Sequence, residues 1–148
     1  MRRACDRTRV NQMNDAVFEP DRVRKWLICE QGHRWFDAAR RFIPFAMPAS
    51  LVADFVLIPA GGTVLHQPAE KPAAVLWEIR PDTFLQTWDQ MIQVARSRPQ
   101  WIQLVADDGL QIHHRLALAE SPVALIIDSP EQLPKIDPLI RGHFAVDA

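Results

Sequence analysis

Ala73-Ala-Val-Leu-Trp77, closed by Glu78-Ile79-Arg80-Pro81, decides the fold of this chain. Apolar residues without a polar interruption are what a strand covered on both faces requires. Such strands lie in the middle of parallel sheets. Asp82 follows as the expected N-cap of a helix. Phe84, Leu85, Trp88, Met91, Ile92 and Ala95 then fall on one helical face, and Ser97-Arg98-Pro99 ends it.

Working toward the C-terminus, Trp101 to Ala106 reads as the next strand and Asp107-Asp108-Gly109 as its turn. Leu110 to Glu120 reads as a helix whose inward stripe is Ile112, Leu116 and Ala119. Val123 to Ile127 is a further apolar strand. Asp128-Ser129-Pro130 opens a last helical region, with proline in the first turn where it is tolerated. Pro134 and Pro138 break that region, and Leu139 to Phe144 forms a short helix capped by Asp137.

Toward the N-terminus, Val23 to Cys29 is a strand ended by Glu30-Gln31-Gly32. Trp35, Phe36, Ala39, Phe42 and Ile43 place a helix after it, which Pro44 is expected to end. Leu51 to Ile58 contains a strand and Pro59-Ala-Gly61-Gly62 a turn. Thr63 to Lys71, bracketed by Pro68 and Pro72, holds at most a short helix. Strand and helix therefore alternate, which predicts an α/β fold: a three-layer, doubly wound parallel sheet of five strands in the order 2-1-3-4-5, with a short or missing second helix.

The chain of 148 residues is one domain's length, spanning 22–148. Residues 1–21 show no sustained period and carry Arg2, Arg3, Arg7 and Arg9 against Asp6. They are expected to be a disordered tail, with Met13 an alternative start. A net charge of −1 gives no global field toward nucleic acid or anionic membrane, so neither is expected as a partner. No apolar run approaches the ~20 residues that span a bilayer, and no apolar signal segment is present. Two cysteines at unrelated positions, Cys5 and Cys29, suit a reducing cytoplasm.

In such a sheet ligands bind beyond the carboxyl ends of the strands, where the strand order reverses. That crevice lies between Glu30-Gln31-Gly32-His33 and Glu78-Ile79-Arg80, with Asp107, Asp108 and Asp128 at the other strand ends. One reading is a Mg²⁺ site formed by Glu30, Glu78 and Asp107, serving a small hydrolase or phosphotransferase. The reading we favour is that the aspartates cap helices and the glutamates face solvent beside Arg80. No metal and no cofactor is therefore expected. His33 and the adjacent His113 and His114 read as surface residues, and Cys29 as a packed thiol. The five tryptophans, Trp26, Trp35, Trp77, Trp88 and Trp101, read as core. No phosphate-binding glycine loop, nucleophile elbow or zinc motif is present in the sequence.

With these residues in view, the chain resembles a receiver domain of two-component response regulators over about residues 23–145. Leu27-Ile-Cys-Glu30-Gln31 resembles the first strand and its acidic pair, and Val75-Leu-Trp-Glu78 the strand carrying the phosphoacceptor. Leu104-Val105-Ala106 and Leu125-Ile-Ile-Asp128 resemble the stretches carrying a hydroxyl and a lysine. The resemblance implies a flavodoxin-like fold, but Glu30, Gln31, Glu78, Val105 and Asp128 make a degenerate site. Asp128 would repel a phosphoryl group, which carries about two negative charges near neutral pH. The expectation is a non-catalytic signalling or interaction module. Its partner is another protein or a second copy, met on the face of the last two helices and the strand between. The candidate contacts there are His113, His114, Arg115, Leu118, Gln132, Lys135, Leu139 and Arg141, with Leu118 and Leu139 as exposed apolar contacts.

Overall fold

The computed structural model describes residues 20–59, 61–68 and 71–145. Most of the expected tail, with Cys5 and Met13, lies outside them. A 3₁₀ turn, Pro20–Arg22, leads into β1 (Val23–Cys29). There follow α1 (Arg34–Ala46), β2 (Val52–Ile58), a 3₁₀ turn at Val64–His66 and β3 (Ala74–Ile79). A 3₁₀ turn at Pro81–Thr83 opens α2 (Phe84–Ser97). Then come β4 (Ile102–Asp107), α3 (Ile112–Ala119), β5 (Leu125–Ile127), a 3₁₀ segment Pro130–Ile136 and α4 (Asp137–Ala145). All strand pairs are parallel and the sheet order is β2-β1-β3-β4-β5, as the alternation of elements predicts. The second helix is reduced to the single turn at Val64–His66.

Side chains alternate across the sheet and so build two cores. Trp26, Ile28, Leu76, Leu104 and Ile127 meet α1, α4 and the segment Pro130–Ile136 on one face. Leu27, Val75, Trp77, Val105 and Ile79 meet α2, α3 and Val64 on the other. Each fully buried Leu, Ile or Val contributes about 1.5–3 kcal/mol relative to exposure. Four of the tryptophans are buried as expected, and Trp88 is half-buried. One core polar residue had no sequence signal. Gln103, 2% exposed, accepts the Trp77 indole N–H at 2.8 Å and donates to the Met91 carbonyl at 3.0 Å, tying β4 to β3 and α2.

Four local expectations are corrected. Pro44 does not end α1, which continues to Ala46 and closes where Met47 N–H donates to the Ile43 carbonyl. Pro44 and Arg40 are both exposed, so the proline falls on the solvent side of the helix's last turn, where it is tolerated. Asp82 does not cap α2. Thr83 closes that turn, its Oγ1 accepting from Arg80 N–H at 3.2 Å. Leu85 is exposed, because the face of α2 laid on the sheet is that of Phe84, Met91 and Val94, and Leu85 lies about 100° round from Phe84. The fourth correction is the largest: α3 is turned the other way. Leu118 is 1% exposed, whereas Ile112 and Leu116 are 76% and 63% exposed.

Candidate functional site

The crevice forms where β1 and β3 part to opposite neighbours. Beyond β1, Glu30 is buried. Its carboxylate accepts the Trp35 N–H at 3.1 Å and the Phe36 N–H at 2.7 Å. Helix starts carry unsatisfied N–H groups, and His33, at the N-cap position, supplies no side-chain bond. Glu30 fills that role from five and six residues upstream, so it does not face solvent as expected. Gln31 and His33 are exposed.

Glu78, level with Ala106 in the sheet register, is half-buried. Burial pushes its carboxyl pKa up. The Gln31 backbone N–H opposes that shift, nearby Glu30 adds to it, Arg80 opposes it, and Asp108 adds to it. Beside Glu78 lies a crevice of about 100 Å³, bounded by Pro59, Gly61 and Gly62 on one side and by Thr87 and Gln90 of α2 on the other. Trp77 and Cys29 form its apolar floor. Burial raises the Cys29 thiol far above its ordinary range, which fits the packed thiol read from sequence rather than a nucleophile. Gly61 holds φ +84°, and a Cβ on Gly62 would stand 2.9 Å from Ile58 Cγ2, so this rim turn requires both glycines.

The carboxyl ends of β4 and β5 are arranged differently. Asp107 is 6% exposed; its Oδ1 accepts the Leu110 N–H at 2.8 Å and its Oδ2 pairs with Arg115. The same guanidinium nitrogen reaches Asp128 Oδ1 at 3.0 Å. A cation therefore does stand at the β5 end, and it comes from α3. The expected capping role holds for Asp107 at the start of the turn into α3. It does not hold for Asp128: the carboxylate is turned to Arg115, and the segment that follows starts from Ser129. Val105 is not at the edge at all. It is buried opposite Trp77, one register step below Glu78.

The sequence-derived interaction face is also redistributed. Leu118 is core, and Leu139 is half-buried against the first core. His114 packs its ring on Phe84 at 4.5 Å between centroids. Arg141 is exposed, pairs with Asp137 and donates to the Phe45 carbonyl at 3.3 Å. Lys135 is exposed. The outward apolar residues on this flank are Ile112 and Leu116 of α3 and Leu125 of β5. The signal was present in the sequence: Leu110, His114, Ala117 and Leu118 also recur at helical spacing, and the histidine hides that stripe.

Glu30 and Glu78 are electrostatic neighbours at the crevice, whereas Asp107 is turned to Leu110 and Arg115. Among the described residues no group of three or more His, Cys, Asp or Glu is gathered to hold a metal ion. No helix among them is long and apolar enough to cross a membrane. The sheet and its edge define the class: a flavodoxin-like α/β domain. No family model matches the chain, and none of the curated proteins or solved structures matches it significantly.

Proposed function

We propose that this chain is a non-catalytic, receiver-like interaction module that pairs with a second copy of itself across α3. The observation that carries the reading is the outward stripe of Ile112, Leu116 and Ala119, an apolar face with no described neighbour covering it. Surface helices ordinarily turn that stripe inward. An isologous pair repeats one surface on both copies, so two antiparallel α3 helices would set Leu116 against Leu116 near the two-fold axis, with Ile112 to either side. An eight-residue helix flanked by Leu125 makes a small interface, of the kind found in weak, transient pairs.

The edge chemistry supports the non-catalytic part. A phosphorylated acid at Glu78 would need a hydroxyl donor from the neighbouring strand, and Val105 is buried without one. The cation at the β5 end, Arg115, is held by two aspartates. Sedimentation velocity over a concentration series tests the pairing. The wild type should show a concentration-dependent dimer that Leu116→Arg and Ile112→Glu abolish. A wild type that stays monomeric at millimolar concentration overturns the pairing. Stable labelling by acetyl phosphate overturns the non-catalytic reading.

A further inference from the structure

We propose that the crevice between β1 and β3 binds a free α-amino acid, with its ammonium on Glu78 and its carboxylate on Arg80. This goes beyond the pairing reading and does not depend on it. Size is the first argument. At about 100 Å³ the space is well below the roughly 300–1,000 Å³ of drug-sized ligand pockets. A space of that size encloses a molecule of a few heavy atoms.

Charge is the second argument. Glu78 and Arg80 both line the crevice. They stand two positions apart on extended backbone, with Arg80 at φ −118°, ψ 162°. Residues so spaced project to one side, about 6.6 Å apart along the strand. Opposite charges so placed match a ligand whose own opposite charges are separated by one carbon. Arg80 makes only a loose ion pair, with Asp82 at 3.8 Å, and so retains donors for a carboxylate.

The third argument is the neutral lining. Gln86, Thr87 and Gln90 face the same space from α2, and their side chains make no hydrogen bond to any described residue. They offer donors and acceptors that orient a small polar ligand above the apolar floor of Trp77 and Cys29. The floor sets the side-chain preference: small and uncharged. An ammonium beside Glu78 would also offset its burial and the neighbouring charges of Glu30 and Asp108, which together hold its carboxyl pKa up against Arg80.

Titration calorimetry with alanine, serine and glycine tests the site, with the matching amines and carboxylic acids as controls. Binding of the amino acids with no heat from either control supports it. Glu78→Gln and Arg80→Gln should each weaken binding by roughly tenfold or more, the loss expected for a charged hydrogen bond. Amide chemical-shift mapping on the folded wild type gives an independent readout, with shifts expected at Gln31, Thr87 and Gln90. No binding at millimolar amino acid overturns the proposal. So does equal binding of an amine or acid alone, unaltered binding by folded Glu78→Gln protein, or shifts confined to other surfaces. Since Leu116 and Ile112 lie outside the crevice, failure of dimer formation leaves this result readable.

Discussion

The two halves of the sheet's carboxyl edge hold similar residues and arrange them oppositely. At the β4/β5 end, one guanidinium sits between two carboxylates and α3 is drawn over the strand ends. At the β1/β3 end, Glu78 and Arg80 face an open crevice, and the ion pair of Arg80 with Asp82 is a loose one of 3.8 Å. The difference comes from the connecting elements. The turn after β4 is short, so α3 delivers Arg115 directly onto Asp107. The switch point between β1 and β3 has no connection crossing it and stays open. Charge at one end is therefore used for structure, and charge at the other remains available to a ligand.

That contrast can be broken from either side. The largest effect is expected where α3 is anchored by packing: Leu118→Ala should cost about 2–5 kcal/mol in urea unfolding. Leu116→Ala, on the same helix, should change stability by less than about 0.5 kcal/mol. The reverse order of costs would mean that α3 is turned as its sequence stripe suggests. Asp107→Ala comes next, at about 2–3 kcal/mol. It removes the bond to Leu110 N–H and unseats Arg115, which is half-exposed and so contributes less than a buried partner would. Circular dichroism melts would show this as a lowered Tm.

Glu30→Ala should cost about 1–2 kcal/mol by stripping the α1 start of its acceptor, and hydrogen exchange at Trp35 and Phe36 should accelerate first. Asp128→Asn should cost no more than about 0.5 kcal/mol, since that carboxylate is exposed. The last effect has a sign that depends on pH. The folded protein holds a proton on Glu78 more tightly than the unfolded chain does. Its contribution to stability therefore falls as pH rises from the ordinary value near 4.5 through the raised one, and is level above it. Glu78→Gln should be neutral below that window and mildly stabilising near pH 7, as read by Tm across a pH series.

Much of the fold was legible because it rests on local repetition. Val75, Leu76 and Trp77 mark a strand buried on both faces, and five such runs separated by helical patterns leave few topologies open. Boundaries were less legible where exposure decides. A proline breaks a helix buried all round, yet Pro44 is harmless on the solvent side of a last turn. In the site, Glu78 and Arg80 could be placed at the crevice from strand order alone. The role of Glu30 could not, since it depends on a loop folding back over α1. That Val105 lies level with Trp77, and Ala106 with Glu78, could not be read either, since register needs the neighbouring strand.

What the sequence alone determined is the alternation of elements and hence the parallel sheet with its crevice between β1 and β3, because hydrophobic periodicity is a property of the chain itself. Which stripe of α3 faces inward, and where the cation at the β5 end comes from, only the tertiary structure decided. Two helical stripes of similar strength coexist in Leu110 to Ala119, and the choice between them is made by what lies beneath: the Phe84 ring under His114 and the buried Asp107 waiting for Arg115. Contacts between residues distant in sequence carry that decision, and no local pattern encodes them.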